Sequence, residues 1–396
     1  MSVPQGWSSY DDVRIKELRS RGNAKWQRYG EEVLAAWVAE MDFPLAPPIY
    51  QALAEALSRN FVGYPPEASA TGLPDASAAW LAGAGLHVDA ARVHLLPDVL
   101  TGLALAIEAF APPGSAVVIA TPAYPPFFTI ARLGDRPVVE VPMLDQEGQH
   151  RFDLAGIEQA FAGGARTLIV CNPHNPLGRV FSRGELKRLA QVVQAHGARV
   201  IADEVHSPLV YPGTVYTPYA AVSPAAAAHS VTLMSASKGW NVPGLKCAQI
   251  VLTNPADDES WNRIPGLRRP GANTLGIAAN LAAYQSGGGW LAATIAYLDC
   301  NRRRLGELLA TFLPDVRYRP PEGTYLAWLD CRPLGLEHPA AFFLEHAQVA
   351  LSEGANFGAP GQGFVRFNFA TSAALLERIV TAMAGAVRRQ APGRER

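Results

Sequence analysis

Residues 167–178 read TLIVCNPHNPLG, and this stretch decides the fold. Its first five positions, Thr167–Cys171, are mostly apolar or β-branched, which is typical of a strand that is covered on both faces. Helical periodicity follows over Glu185–His196, and a second short apolar run occupies Arg199–Ala202. A strand, a helix and another strand in this order predict a parallel βαβ unit.

The same pattern extends on both sides of this unit. Upstream, we predict strands over Val93–Leu96 and Ala116–Ala120, with a helix over Val99–Phe110 between them. Downstream, strands are predicted over Ser230–Met234 and Ala248–Leu252. Alternating strands and helices predict an α/β domain with a mostly parallel sheet.

The C-terminal third has a different pattern. Strands are predicted over Tyr325–Leu329 and Phe364–Phe369, with helical stretches around them, which indicates a smaller α+β domain. The pattern is interrupted at Ser286, where three glycines follow. We therefore expect an N-terminal segment (1–46) that packs with the small domain, a large domain (47–285) and a small domain (286–396).

Composition and charge exclude several classes of protein. The 396 residues carry a formal net charge of −1, so the basic excess of a nucleic-acid-binding protein is missing. The four cysteines lack metal-ligand spacing, so we expect no metal site and free thiols in a reducing compartment. The chain has no apolar run near twenty residues and begins with a polar stretch. We therefore expect a cytoplasmic protein that binds neither nucleic acid nor membrane.

Four residues with useful chemistry each follow a predicted strand: Tyr124, Asn175, Asp203 and Lys238. Ligands of an open parallel sheet bind at the carboxyl ends of its strands, so we expect these side chains around one pocket. A lysine can form a Schiff base with an aldehyde, and a carboxylate can keep a pyridine nitrogen protonated. The asparagine suits a phenolic oxygen and the tyrosine suits a ring face. The set therefore fits pyridoxal 5'-phosphate (PLP).

An ordered series of motifs carries a family resemblance: WVAEMDF at 37–43, GY at 63–64, Tyr124, NPHNP at 172–176, DEVH at 203–206, SASK at 235–238, TYLAWLD at 324–330 and VRFN at 365–368. The series resembles the fold-type-I PLP enzymes of the class I and II aminotransferase superfamily, over nearly the whole chain. Within it, the chain resembles the MalY/PatB-type cystathionine β-lyase (C–S lyase) branch. The resemblance implies an α/β large domain with a mostly parallel seven-stranded sheet and a smaller α+β C-terminal domain.

The resemblance implies a role for each residue around the cofactor ring. Lys238 forms the Schiff base and later moves the substrate Cα proton. Asp203 pairs with the pyridinium nitrogen, although an aspartate after a strand also fits a helix cap. Tyr124 stacks on the ring, and Asn175 donates to the phenolic oxygen. His206 contacts that oxygen or supports Asp203, and a packed core histidine is the alternative.

The cofactor phosphate and the substrate are assigned in the same way. The residues implied to hold the phosphate through backbone amides, hydroxyls or a cation are Val99, Leu100, Ser235, Ser237, Lys246 and, across a dimer interface, Tyr64. Lys246 stands where many relatives have an arginine. Arg366 is implied to clamp the substrate carboxylate, with Asn175 and Trp37 also at the substrate. Two positions depart from the family pattern, since Leu177 replaces a usual threonine and Glu40 replaces a usual aspartate.

The implied activity is α,β-elimination on L-cystathionine or a related L-cysteine S-conjugate, which yields a thiol, pyruvate and ammonia. One alternative is a PLP-dependent aminotransferase, which uses the same residues but needs a keto-acid acceptor. Another is a regulatory protein that binds a partner with the same fold. The resemblance also implies a homodimer, because Tyr64 is expected to reach the active site of the neighbouring subunit.

Overall fold

The computed structural model describes residues 10–390. The helices are α1 (Ile15–Ser20), α2 (Ala24–Gln27), α3 (Pro47–Ser58), α4 (Leu73–Gly83), α5 (Val99–Phe110), α6 (Pro125–Leu133), α7 (Leu154–Ala162), α8 (Arg183–Ala195), α9 (Pro224–His229), α10 (Pro255–Asn262), α11 (Thr274–Ser286), α12 (Gly288–Phe312), α13 (Pro339–Ala347) and α14 (Ala373–Gln390). Within these residues, no helix combines the length and the apolar character needed to cross a membrane.

The strands are β1 (Leu34–Ala35), β2 (Val93–Leu96), β3 (Val117–Thr121), β4 (Val138–Pro142), β5 (Leu144–Gln146), β6 (Gln149–Arg151), β7 (Thr167–Cys171), β8 (Arg199–Asp203), β9 (Ser230–Met234), β10 (Ala248–Leu252), β11 (Arg317–Tyr318), β12 (Leu326–Asp330), β13 (Val349–Ala350), β14 (Ser352–Glu353) and β15 (Phe364–Asn368).

Seven of these strands form the main sheet, in the order β2-β10-β9-β8-β7-β3-β4. Strand β10 runs antiparallel to both of its neighbours, and the other neighbouring pairs are parallel. Strands β3, β7, β9 and β10 are buried at every position, which explains why their apolar runs were recognisable in the sequence. The predicted fold class is confirmed.

Strand β4 was not identified from the sequence. It lies at the edge of the sheet, and among its five residues only Val141 is buried. An edge strand that is mostly exposed lacks the continuous apolar run of a central strand. The seventh strand therefore became visible only through its pairing with β3.

The strand order brings the predicted site residues to one side of the main sheet, at the carboxyl ends of its parallel strands. Strand β4 lies on one side of β3, whereas β7, β8 and β9 follow on the other side. The carboxyl ends of the parallel strands lie along the same side of the sheet. From β3 the chain continues to β4 on one side and to β7 on the other, so a crevice for a ligand is expected between β3 and β7. Asp203 ends β8 at this side of the sheet, and the loops that carry Tyr124, Asn175 and Lys238 leave the sheet here.

A second sheet covers this side from the C-terminal part of the chain. It has the antiparallel order β11-β12-β15-β14, and its central strands β12 and β15 are fully buried. The long helices α12 and α14 contribute Leu298, Leu305 and Leu376 to one apolar core that also contains Leu34 and Phe43 from the N-terminal segment. Strand β1 of that segment pairs in parallel with β13.

Candidate active site

The candidate site, called the pocket below, is the space around Lys238, which lies in the turn that follows β9. The Nζ of Lys238 donates a 2.8 Å hydrogen bond to the backbone carbonyl of Ala39. Burial and then the positive charge of Arg366 lower the pKa of Lys238 to about 8, against the opposing effect of Glu40 and Asp203. An amine with this pKa is partly neutral near neutral pH, which a nucleophile or a proton acceptor requires.

Asp203 is the last residue of β8 and is buried. Its Oδ1 accepts a 3.1 Å hydrogen bond from the backbone amide of Val205. Burial raises the pKa of Asp203 to about 6, while the Val205 amide and the charge of Lys238 act in the opposite direction. No other hydrogen bond to this carboxyl is found among residues 10–390, so the group has capacity for one more cationic or donor partner.

Arg366 crosses the pocket from β15 and is buried. Its Nη1 donates to Asn175 Oδ1 at 3.1 Å, and its Nη2 donates to the carbonyl of Trp37 at 2.8 Å and to Ser352 Oγ at 3.2 Å. All of these acceptors are neutral, and Nε has no partner. Burial lowers the pKa of Arg366 to about 10. A buried guanidinium without a carboxylate partner in the described chain is ready to bind an anionic group.

His206 and Tyr124 complete the wall of the pocket. His206 is buried, and its Nδ1 has no hydrogen-bond partner. Burial and the charges of Lys238 and Arg366 hold the pKa of His206 well below its ordinary value, so the imidazole is neutral. Tyr124 directly precedes α6, and burial raises the pKa of its hydroxyl. The charges of Arg366 and Asp203 act on the pKa of the same hydroxyl in opposite directions, since Arg366 lowers it and Asp203 raises it.

The first turn of α5 carries the backbone amides that were predicted to bind the phosphate. Asp98 caps this helix by accepting the amide of Thr101 at 2.7 Å. The amides of Val99 and Leu100 have no acceptor among residues 10–390. Lys246 approaches the same helix end, with its Nζ 3.0 Å from Asp98 Oδ2. Free amides at a helix N-terminus beside a lysine suit a phosphate group.

The remaining predicted phosphate residues differ in what their side chains do. Ser235 donates its hydroxyl to the carbonyl of Cys247 at 2.7 Å, so this proton is already used within the protein. The hydroxyl of Ser237 makes no such bond among the described residues. Tyr64 is fully exposed in the loop after α3 and is outside the pocket of its own chain. The phosphate roles of these three residues stay predictions.

Residues Trp37–Phe43, called the site segment below, contact the active-site side chains through their backbone, which the sequence did not predict. The carbonyls of Trp37 and Ala39 accept the hydrogen bonds from Arg366 and Lys238. Asn241 fixes the segment by bonding both the amide and the carbonyl of Met41, at 2.8 and 2.9 Å. Asn241 lies three residues after Lys238, and an asparagine at this place was the available signal. The indole of Trp37 points elsewhere, since it donates to the carbonyl of Lys25 at 3.1 Å.

A buried ion pair supports the site segment from behind. Lys25 Nζ lies 2.9 Å from Asp42 Oδ2, and neither side chain is exposed to solvent beyond about one per cent. Trp26 donates its indole N–H to Asp42 Oδ1 at 2.7 Å. These contacts connect α2 to the segment that holds Lys238 and Arg366.

The donor set of this pocket fits PLP. It contains a lysine amine with a lowered pKa, a buried carboxyl with spare capacity, and free amides at a helix N-terminus. These groups would serve the aldehyde, the ring nitrogen and the phosphate, respectively. The unpartnered guanidinium of Arg366 then remains available for the carboxylate of an amino-acid substrate.

Comparisons with known proteins agree with this arrangement. Residues 37–383 match the family model described as Aminotransferase class I and II. Cystathionine beta-lyase from Corynebacterium glutamicum is 40% identical over 368 residues, which cover 92% of this chain and 96% of the relative. Cystathionine beta-lyase PatB from Bacillus subtilis is 34% identical, with the same two coverages of 92% and 96%.

A solved structure shows the same fold. The PLP-bound C–S lyase from Staphylococcus hominis superposes with a TM-score of 0.90 at 26% identity, and the match covers 96% of this chain and 99% of that one. The similarity therefore spans the pocket from Trp37 to Arg366.

Proposed function

The chain belongs to the class I and II aminotransferase family, and on that premise we propose that it is a PLP-dependent carbon–sulfur β-lyase. It converts L-cystathionine or a related L-cysteine S-conjugate to a thiol, pyruvate and ammonia. The observation that carries this proposal is that one pocket brings together the amine of Lys238, the buried carboxyl of Asp203 and the unpartnered guanidinium of Arg366. The relatives named cystathionine beta-lyase support the choice of reaction.

When bound, PLP supplies an electron sink for the bond at the substrate Cα. Lys238 would hold the cofactor through its aldehyde, and its amine is placed to take the Cα proton of the substrate. Its pKa of about 8 suits this step, because a base is most useful when its pKa lies near the working pH. Loss of the thiolate from Cβ then completes the elimination.

Asp203 and Arg366 orient the reacting groups. The buried carboxylate of Asp203 would pair with the ring nitrogen and hold a proton there, and this pairing would remove the cost of an unpaired buried charge. Arg366 binds the substrate carboxylate in a bidentate manner, while Asn175 and the carbonyl of Trp37 fix the guanidinium plane. This clamp determines which bond at Cα faces Lys238.

The active form is proposed to be a homodimer. Tyr64 is fully exposed, and three further apolar side chains of α3 and the loop after it, those of Tyr50, Leu57 and Val62, are each more than half exposed. Exposed apolar groups on one segment favour a protein interface. A second copy covering this segment would carry Tyr64 to the phosphate end of the neighbouring pocket. All four cysteines are free thiols, which supports a reducing, cytoplasmic location.

One experiment tests the reaction. Purified protein is supplied with PLP, its visible spectrum is recorded, and L-cystathionine is added without a keto acid. We expect a yellow absorption band and continuous formation of pyruvate. A band without pyruvate would exclude L-cystathionine as a substrate. A keto-acid acceptor would then reveal an aminotransferase, other L-cysteine S-conjugates would reveal a lyase with a different substrate, and inactivity in both assays would leave the partner-binding alternative. A protein that never acquires the band would contradict the role of Lys238 itself.

A further inference from the structure

Glu40 carries a negative charge at the pocket that has no cationic partner. The side chain is half-buried, and its Oε1 accepts a 2.6 Å hydrogen bond from the amide of Asn23. No ion pair involves Glu40 anywhere in residues 10–390. A carboxylate held by one hydrogen bond keeps most of its capacity to accept further hydrogen bonds.

The position of Glu40 is fixed by its backbone. Its carbonyl accepts hydrogen bonds from Asn368 Nδ2 at 2.7 Å and from Lys25 Nζ at 3.1 Å. The ammonium of Lys25 does not neutralise the Glu40 carboxylate, because it is paired with Asp42. The backbone of Glu40 is therefore held in place, and its carboxylate forms no ion pair among residues 10–390.

The charge of Glu40 affects the pKa values of Lys238 and Tyr325. The preceding residue, Ala39, accepts hydrogen bonds from Lys238 and from the hydroxyl of Tyr325, at 2.8 and 3.0 Å. Burial lowers the pKa of Lys238, and Glu40 is the first group that opposes this effect. Burial raises the pKa of Tyr325, and Glu40 raises it further. The backbone of Glu40 therefore lies one residue from a carbonyl that both Lys238 and Tyr325 contact, and its charge acts on both of these groups.

An amino-acid substrate brings a carboxylate, an α-amine and a side-chain arm to the pocket. Arg366 would bind its carboxylate, and its α-amine would lie at the amine of Lys238. The arm beyond the sulfur remains without an assigned partner. A cationic group on this arm would find the free charge of Glu40 at the pocket.

We propose that Glu40 is a specificity-determining residue that binds an ammonium group on the leaving-thiol arm of the substrate. The preferred substrates are L-cysteine S-conjugates whose thiol portion carries an amine, as L-cystathionine does. This inference rests on the proposed lyase function, and it assigns the class of substrate that the same site accepts.

The test compares two substrates of equal length, S-(2-aminoethyl)-L-cysteine and S-propyl-L-cysteine. Both are assayed for pyruvate with the wild-type holoenzyme, with Glu40→Gln and with Glu32→Gln. The last variant removes the same charge from an exposed position on the N-terminal segment. The ratio of the two kcat/KM values in each variant is divided by the wild-type ratio, so that the different reactivities of the two thiols cancel.

We expect Glu40→Gln to reduce the preference for the aminoethyl substrate about tenfold, since a hydrogen bond to a charged partner is lost. Glu32→Gln should leave the ratio unchanged. An equal loss on both substrates would overturn the proposal, because it would place Glu40 at the α-amine or at Lys238. An unchanged ratio would overturn it as well.

Binding provides a readout that does not depend on elimination. L-Lysine and L-2-aminoheptanoic acid have a methylene group in place of the sulfur of the aminoethyl and propyl substrates, respectively, so they have the same length but no leaving group. Their affinity for the holoenzyme is measured by calorimetry. Glu40→Gln should weaken L-lysine alone, and equal effects on both ligands would contradict the proposal. If the wild type releases no pyruvate from either substrate, the lyase function fails while the binding result still decides the role of Glu40. Unchanged thermal unfolding of the variants shows that they are folded.

Discussion

Lys238 donates a 2.8 Å hydrogen bond from its Nζ to the carbonyl oxygen of Ala39, a residue 199 positions earlier in the chain. This contact makes the N-terminal segment part of the active site. The carbonyl offers an acceptor for the ammonium form of the lysine and fixes the direction of the side chain. When the amine binds an aldehyde, the same acceptor becomes free for the substrate amine.

Replacing Lys238 with alanine should reduce pyruvate formation at least about 10³-fold, because both the anchoring amine and the base at Cα are lost. The yellow absorption band should disappear as well. Lys187→Ala, which removes an exposed lysine of α8, is the matched control and should behave as the wild type. Elimination at the wild-type rate by Lys238→Ala would overturn the assignment.

Replacing Arg366 with lysine keeps the positive charge but removes the planar pair of donors. We expect kcat/KM to fall roughly 100-fold, mainly through KM, since the substrate carboxylate loses one charged hydrogen bond and Asn175 loses its partner. Steady-state kinetics with L-cystathionine measure this effect. Arg378→Lys on the exposed side of α14 is the control. A KM unchanged in Arg366→Lys would exclude the clamp.

The sequence alone located the strands and site residues whose pattern depends only on neighbouring positions in the chain. Strand β7 and the residue that ends β8, Asp203, could be located because a buried parallel strand is a short apolar run and its polar end follows directly. Within the site segment only Trp37 was predicted to lie at the substrate, and the contacts of its backbone with Lys238 and Arg366 were not predicted. Further contacts of the segment come from Asn241 and Asn368, which lie about 200 and 330 residues away, and periodicity carries no information on such pairs.

The motif that contains Lys238 illustrates the same limit within a few residues. The motif located the lysine, but its two serines differ in the hydrogen bonds that their hydroxyls make. Ser235 bonds to the backbone of Cys247, whereas Ser237 keeps its hydroxyl available. Only the packing of the turn against β10 distinguishes the two residues.

Asp203 should make the stability of the cofactor-free protein depend on pH. Burial raises its pKa from 3.8 to about 6, so the folded state binds more protons than the unfolded state between these two values. Stability must therefore fall as pH rises through this window, and the loss is complete above pH 6. A shift of this size corresponds to roughly 3 kcal/mol.

Asp203→Asn removes the titrating group and keeps an oxygen for the amide of Val205. The variant should gain stability relative to the wild type at pH 7, and the gain should vanish near pH 4. Urea denaturation of both cofactor-free proteins across this range measures the difference. The control is Asp89→Asn, since exposed Asp89 accepts the amide two residues ahead in the same way, at 2.9 Å. A pH-independent difference between Asp203→Asn and the wild type would contradict the prediction.

The buried pair of Lys25 and Asp42 should matter far more than an exposed pair. Lys25→Met leaves an uncompensated charge on Asp42, and we expect a loss of about 3–5 kcal/mol in the free energy of unfolding. Arg59→Met is the comparison, because Arg59 and Glu55 are both about two-thirds exposed and their pair contributes at most about 1 kcal/mol. Chemical denaturation measures both variants. Equal losses would show that the ion pair does not stabilise the site segment.

Sharing of active sites between two subunits can be tested by mixing two impaired variants. Lys238→Ala lacks the amine in its own pocket, and Tyr64→Ala lacks the side chain that the proposed dimer supplies to the neighbouring pocket. In a mixed dimer, the subunit that retains Lys238 receives Tyr64 from its partner, so one complete site forms.

After unfolding and refolding as an equal mixture, half of the dimers are mixed and each has one complete site. We therefore expect about a quarter of the wild-type activity, well above either variant refolded alone. If Tyr64 acted within its own chain, every pocket in the mixture would lack either Lys238 or Tyr64, and the activity would stay at the average of the two variants. Light scattering of the same sample, giving a dimer or a monomer, separates failed assembly from an unshared site.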